Sequence, residues 1–102
     1  MNIILIINFD YGKNKKYLPR EINFPEKIDL TSFTDEEWHA RTYKLMTVGT
    51  HLGSTHHYIA YCKSYTTYKW YKFDDSNVNE CRFEEIKKNI IDFLIYCKDK
   101  VY

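Results

Sequence analysis

The residues of this chain that could do chemistry lie between His56 and Ser76, in the stretch HHYIAYCKSYTTYKWYKFDDS. His57 opens one short aromatic strand, and an acidic pair, Asp74 and Asp75, closes the next strand after a short turn. An imidazole within hydrogen-bond reach of a carboxylate has its tautomer fixed and its charged form stabilised, as a base that activates a thiol requires. We therefore expect the His57 ring and a carboxylate of this acidic pair to be neighbours across two adjacent strands.

The three cysteines, Cys62, Cys81 and Cys97, do not supply a nucleophile for this pair. Cys62 follows His57 by five residues. In a strand the two side chains then point to opposite faces, about 16 Å apart at roughly 3.3 Å per residue. The settings of Cys81 and Cys97 are typical of buried, inert thiols. An odd number of cysteines without C-x-x-C spacing indicates neither a disulfide framework nor a zinc site, and favours a reducing compartment.

Two further patterns have an ordinary structural explanation. The four histidines lack a cysteine or carboxylate at ligand spacing, so we expect no metal and no cofactor. Residues 68–73 interleave basic and aromatic side chains, as single-stranded nucleic-acid binders do, and a small β-sheet nucleic-acid binder is one hypothesis for the chain. The nearly neutral charge of +1 favours an amphipathic strand instead.

Length and composition indicate one small domain or part of one. With 102 residues the chain can bury only a modest core. An aromatic content of 18%, with ten tyrosines, favours half-buried β surface over a helical bundle. The charge gives no reason to expect nucleic acid or membrane as a partner, and the opening MNIILII is too short for a signal sequence and lacks its basic residues. We expect a soluble, intracellular protein of the cytoplasm or nucleus.

The chain has the pattern of a series of short strands. Strands are predicted at residues 2–9, 42–50, 57–63 and 67–73, with a shorter extended piece at 27–30, in the order of a β-meander. Turn residues are predicted at 10–14, short or edge strands at 17–24, and a polar connection at 34–41. In the strand 42–50, simple alternation places Leu45 and Thr47 on one face and Met46 and Val48 on the other.

The segment after Arg82 allows two interpretations. Apolar residues recur at three- and four-residue steps from Phe83 to Cys97, which taken alone predicts a single amphipathic helix. The isoleucine- and aromatic-rich run IIDFLIYCK, residues 90–98, is also compatible with a strand.

The HY-x-AY strand that begins at His57 and the WYKFDDS segment that begins at Trp70 together resemble the C-terminal catalytic box of the ubiquitin-specific proteases. The similarity covers nearly the whole chain, through ILIIN, INFPEKIDL, YKLMTVGTHLG and FLIYCK in the family's order. It implies an α+β fold: a palm-like, papain-type antiparallel β-sheet with one short helix near residues 83–88 and a strand over 90–98. Residues 1–102 would be the C-terminal part of that domain.

The resemblance also implies hydrolysis of the bond after the terminal glycine of ubiquitin, by a cysteine protease mechanism. His57 would activate the thiol, Asp74 would orient His57, and Asp75 would assist. The family's glycine- and asparagine-rich box, which carries the nucleophilic cysteine, is not found in these 102 residues, so another segment or chain would supply the thiol. The alternative function is a non-catalytic ubiquitin-binding or scaffolding module.

Four residues are implied to contact the substrate: His51, Gly53, His56 and Tyr58. They lie in or beside the loop that, in the family, flanks the channel for ubiquitin's diglycine tail. Here the loop is shorter than usual, and His56 stands where the family has a glycine. Because only glycine permits the closest backbone approach, an imidazole at this position would obstruct the channel. His56 is also the alternative to His57 as the functional imidazole.

Overall fold

The computed structural model describes residues 4–9, 22–30, 42–51 and 57–98. In these ranges the strands form one antiparallel sheet in the order β1-β7-β3-β4-β5-β6, with β2 also paired to β3. The elements are β1 (Ile4–Asn8), β2 (Lys27–Asp29), β3 (Thr42–His51), β4 (Tyr58–Lys63), β5 (Trp70–Asp74), β6 (Asn77–Cys81), α1 (Phe83–Ile86) and β7 (Ile90–Lys98).

The predicted antiparallel sheet with one short helix is confirmed. Strands β3, β4, β5 and β6 follow one another as a meander, but β7 inserts between β1 and β3, which the predicted chain order does not contain. The predictions for residues 10–14 and 34–41, and most of those for 17–24, lie outside the described residues. No described helix has the length and apolar character needed to cross a membrane.

One face of the sheet carries the hydrophobic core. Its members are apolar or aromatic side chains that alternate along the central strands, joined by one residue that precedes β2 and one on α1. They are Phe24, Tyr43, Leu45, Val48, Ile59, Tyr61, Trp70, Ile86, Ile91, Leu94 and Tyr96.

Strand β3 contains a β-bulge that changes which of its side chains reach the core. Leu45 pairs with Tyr96 and Thr47 with Ile95, so Met46 is an extra residue on β3. A bulge reverses the alternation beyond it. Leu45 and Val48 consequently lie in the same core cluster, and the prediction of simple alternation along 42–50 is wrong.

Residues 90–98 form strand β7, as predicted from the resemblance, and the interpretation of residues 83–97 as a single helix is wrong. The strand pairs with β1 on one side and with β3 on the other. Its buried residues Ile91, Leu94 and Tyr96 belong to the core. A central position between two strands satisfies the backbone of β7 on both sides, and this overrides the local helical period.

The short helix α1 is held by its neighbours, because one turn of helix is not stable by itself. The Phe83 ring stacks on Trp70 and meets Phe24 edge-on, with both centroid distances at 5.7 Å. The Asn89 amide donates to the carbonyl oxygens of Glu85 and Ile86 and to the Tyr61 hydroxyl. These contacts satisfy carbonyls at the end of the helix and join it to β4.

The opposite face of the sheet is crossed by a row of paired neighbours from β7 to β6. The row runs through Phe93, Gly49, Ala60, Phe73 and Val78. The Phe93 ring lies directly over Gly49, where a Cβ atom would collide with ring carbons. Only glycine therefore fits beneath the Phe93 ring.

We expect Gly49→Ala to destabilise the chain by about 1–3 kcal/mol, because the added methyl group displaces the Phe93 ring. Urea unfolding followed by tryptophan fluorescence measures this change. In a Phe93→Leu background the same substitution should cost less than half as much. An equal cost in both backgrounds would show that the collision is not with Phe93.

The chain should lose stability between about pH 10 and pH 12 in part through Tyr96. This side chain is fully buried, its hydroxyl donates to the Pro25 carbonyl oxygen at 2.7 Å, and burial raises its pKa to about 12. The unfolded chain ionises this tyrosine near its ordinary pKa of about 10, so its contribution is complete below pH 10 and lost as pH rises through 12.

The test compares urea unfolding of the parent chain and Tyr96→Phe at pH 8 and pH 11. At pH 8 the variant should be less stable by about 1 kcal/mol through loss of the hydrogen bond. At pH 11 the difference in the free energy of unfolding between the parent chain and the variant should shrink or change sign. An equal difference in the free energy of unfolding at both pH values would show that Tyr96 does not contribute to the loss of stability at high pH.

Candidate active site

His57 and Asp74 are in contact at one end of the sheet. His57 immediately precedes β4 and Asp74 is the last residue of β5, and these ends lie side by side because the two strands are antiparallel, with Ala60 opposite Phe73. The His57 Nε2 and Asp74 Oδ1 atoms are 2.5 Å apart. The geometric prediction that the imidazole and the carboxylate are hydrogen-bonded is confirmed, while their catalytic role stays a prediction.

The loop between β4 and β5 sets the register that brings the pair together. The Ser64 N–H donates to the Lys69 carbonyl oxygen and the Ser64 carbonyl oxygen accepts from the Tyr68 N–H, both at 2.9 Å. Tyr68 adopts a left-handed backbone with φ of 60°. The Ser64 side chain also accepts from the N–H groups of Thr66 and Thr67. The loop thus fixes the two strands at the end opposite the histidine.

The environment of the pair suits proton transfer. The His57 and Asp74 side chains are 34% and 32% exposed, so they are shielded from bulk water and still reachable by a reacting group. The hydrogen bond between Nε2 and the carboxylate restricts the orientation of the ring.

Asp75 adds a second carboxylate beside the pair. It is exposed and adopts a left-handed backbone, with φ of 53°, in the turn between β5 and β6. Ligand atoms of His57, Asp74 and Asp75 all lie within 4.8 Å of one another. An imidazole with two carboxylates is a donor set that could hold a divalent cation, whereas the sequence alone predicts no metal.

The predicted substrate-contact residues are only partly described. His51 ends β3 and Tyr58 begins β4, and the two residues pair across the strands with ring centroids 6.2 Å apart. Gly53 and His56 lie outside the described residues. His51 and Tyr58 therefore lie near His57. Substrate contact by Gly53 and His56 stays a prediction.

Sequence reasoning missed Asp92, which lies in β7. Its Oδ1 atom is 2.6 Å from Nδ1 of His51, which is only 7% exposed. The single signal in the sequence is that an acidic residue interrupts the apolar run IIDFLIYC. The pairing depends on a contact between residues 41 positions apart, which no local pattern contains.

The three thiols lie away from the His57–Asp74 pair. Cys62 is opposite Tyr71, and Cys81 is opposite Trp70 at the other end of β5. Cys62 is five residues from His57, and Trp70 pairs with Lys63, which is six residues from His57, so the two thiols lie about 16–20 Å from His57 along the strands. Cys97 is more distant still, because it pairs with Lys44 near the start of β3. The expectation that Cys81 and Cys97 are buried is not met, since the three cysteines are partly exposed.

Cys81 is nevertheless a weak nucleophile by its surroundings. Burial, followed by the nearby Glu85 carboxylate, raises the pKa of its thiol. A raised pKa lowers the fraction of reactive thiolate at neutral pH.

Comparison with known proteins gives a consistent result. The family described as "Ubiquitin carboxyl-terminal hydrolase" matches residues 3–96. Ubiquitin carboxyl-terminal hydrolase 2 of Homo sapiens is 35% identical over 78 residues, which are 74% of this chain and 13% of that protein. Ubiquitin carboxyl-terminal hydrolase 10 of Arabidopsis thaliana is 34% identical over 90 residues, which are 84% of this chain and 10% of that protein.

Solved structures contain the same fold as a part of a longer chain. A structure of the SAGA Ubp8(S144N)/Sgf11/Sus1/Sgf73 DUB module matches with a TM-score of 0.78 and 27% identity, covering 98% of this chain and 24% of that chain. A form of this module bound to monoubiquitin matches with a TM-score of 0.78 and 25% identity, at the same coverage of both chains. The chain thus spans about a quarter of the solved chains and 13% of the human relative. On the family match and these relatives, the chain belongs to the ubiquitin carboxyl-terminal hydrolase family.

Proposed function

We propose that this chain supplies the imidazole and the carboxylate of a thiol-dependent ubiquitin hydrolase, as the papain-type C-terminal half of its catalytic domain. The observation that carries the proposal is the 2.5 Å contact between His57 and Asp74. It lies within the segment that matches the family, residues 3–96. The monoubiquitin-bound form of a structural neighbour supports ubiquitin as the partner.

The proposed reaction cleaves the bond after the terminal glycine of ubiquitin. His57 takes the proton of a cysteine thiol, and the thiolate attacks the carbonyl carbon of that bond. His57 then returns the proton to the leaving amine as the thioester forms, and water afterwards hydrolyses the thioester. Asp74 holds the ring in position and stabilises its charged form, and Asp75 contributes a second negative charge beside it.

The thiol comes from outside this chain in the proposed scheme. The strand positions of Cys62, Cys81 and Cys97 place these residues about 16 Å or more from His57 along the strands, whereas a nucleophile and its base must lie within hydrogen-bond reach. The same observation favours the second candidate function, a ubiquitin-binding or scaffolding module without catalysis. The two functions differ in whether a thiol-bearing segment is ever joined to the chain.

His51, Gly53, His56 and Tyr58 are proposed to contact the ubiquitin tail. Tyr58 is 64% exposed and directly follows His57, so its ring is available to a polypeptide that enters the site. Large exposed aromatic residues beside a reactive group are common anchors in recognition sites.

The purified 102-residue chain should not hydrolyse a fluorogenic ubiquitin C-terminal amide. A histidine and a carboxylate without a placed thiolate cannot form the thioester, so turnover should stay at background. Turnover that is abolished by Cys62→Ser, Cys81→Ser or Cys97→Ser would show that the chain carries its own nucleophile and would contradict the proposal.

Activity should appear in a chimera in which residues 3–96 replace the matching segment of human ubiquitin carboxyl-terminal hydrolase 2. This chimera joins the His57–Asp74 pair to the rest of a related domain. His57→Ala in the chimera should abolish the activity. A folded chimera that binds ubiquitin without cleaving it would favour the binding module over the hydrolase.

Asp74 and Asp75 should differ in their effect on the activity of the chimera. Asp74→Asn removes the charge that stabilises the protonated ring and should lower kcat by about 100-fold or more. Asp75→Asn, the matched control, should lower it by less than about tenfold because Asp75 is exposed. Equal losses from the two substitutions would show that the orienting role is shared rather than assigned to Asp74.

A further inference from the structure

A second imidazole–carboxylate pair lies at the same end of the sheet. It joins His51 of β3 to Asp92 of β7, with 2.6 Å between Nδ1 and Oδ1. The His51 ring is almost completely buried, and the Asp92 side chain is 26% exposed. Burying an ionisable pair is costly unless its geometry and hydrogen bonds compensate, so such a pair requires an explanation.

A β-bulge in β7 makes the pair possible. Gly49 pairs with Phe93 and Thr50 with Ile91, so Asp92 is an extra residue on β7. Its carbonyl oxygen accepts from the Phe9 N–H at 2.9 Å, which holds the bulge against the end of β1. Bulges near functional sites redirect a side chain that regular pairing would turn elsewhere, and here Asp92 reaches the imidazole of the neighbouring strand.

Each partner has one polar atom left over. His51 Nε2 and Asp92 Oδ2 are buried and have no hydrogen-bond partner in the part of the chain that the structure describes. Buried polar atoms in folded proteins are almost always paired, with protein groups, water or a ligand. Within the described residues, the His51 nitrogen therefore lacks a hydrogen bond that a bound group could supply.

The position of His51 connects it to the proposed active site. Its cross-strand partner, Tyr58, directly follows His57 in the chain. A polypeptide that lies beside His57 and along the exposed Tyr58 ring passes the end of β3, where His51 is located.

We propose that Asp92 holds His51 as the Nδ1–H tautomer, so that Nε2 is a buried hydrogen-bond acceptor for an N–H group of the polypeptide bound beside His57. The inference rests on the proposed function, in which that polypeptide is the ubiquitin tail. Asp92 is a positioning residue in this scheme, because it acts only through the His51 ring. An N–H group is the complement of a neutral imidazole nitrogen that carries no proton.

The tautomer is measured directly by nitrogen-15 NMR of the histidine rings in the full 102-residue chain at pH 8. The parent chain should have the His51 proton on Nδ1. In Asp92→Asn the amide can donate to Nδ1 and the proton should move to Nε2, whereas the control Asp75→Asn should leave the His51 signals unchanged. A proton on Nε2 of His51 in the parent chain would overturn the inference.

The consequence for binding is measured as the Kd for ubiquitin of the chimera described above. Asp92→Asn and His51→Leu should each weaken binding about tenfold, the typical effect of losing one buried hydrogen bond. His51→Gln should restore most of the affinity, because its carbonyl oxygen can accept at the place of Nε2. Unchanged affinity in Asp92→Asn and His51→Leu would overturn the inference alone, whereas a parent chimera without ubiquitin binding would contradict the proposed function as well.

Discussion

The pairing of β7 with both β1 and β3 is the constraint on which the rest of the structure depends. These strands lie near the beginning, in the middle and near the end of the sequence, so the centre of the sheet depends on pairing between residues that are distant in sequence. Pairings of this kind must offset the entropy of long loops before they stabilise anything. The core residues Ile91, Leu94 and Tyr96 supply that stabilisation, because all three are buried when β7 is in place.

The antiparallel order also decides where the polar residues meet. The end of β3, the beginning of β4 and the end of β5 lie at one end of the sheet, and β7 begins at that end. His51, His57 and Asp74 are consequently gathered from separate strands, together with Asp92 close to the start of β7. At the opposite end lie Lys63, which ends β4, Lys98, which ends β7, and Asp29, which ends β2.

Much of the fold could be predicted from the sequence because it depends on strand patterns and on one motif. The contact of His57 and Asp74 was predicted from the short turn between their strands together with the family resemblance, since a hairpin fixes which strand ends meet. The choice between helix and strand for β7 required the family resemblance, because the local period favoured a helix. Tertiary pairing with two neighbours decides such segments, and a single sequence does not contain that information.

The features that could not be predicted are those that depend on register. Neither bulge has a sequence signal of its own, so the alternation of Leu45 and Val48 and the reach of Asp92 were both missed. The short strand β6 was missed because its residues, NVNEC, are polar and mostly exposed. Strand β6 pairs with β5 across the Asp75–Ser76 turn, and the backbone stabilises it more than its side chains do.

The two bulges compensate for each other. The extra residue at Met46 shifts β3 by one position against β7, and the extra residue at Asp92 shifts β7 back before the strands end. Only the segment from Thr47 to Gly49 pairs in the shifted register. Met46 has no partner in β7, so its deletion would remove the bulge in β3 and leave the pairs from Thr47 to His51 in place. The sheet should therefore tolerate the loss of a single residue at a bulge, whereas the loss of a paired residue would turn the side chains beyond it to the other face.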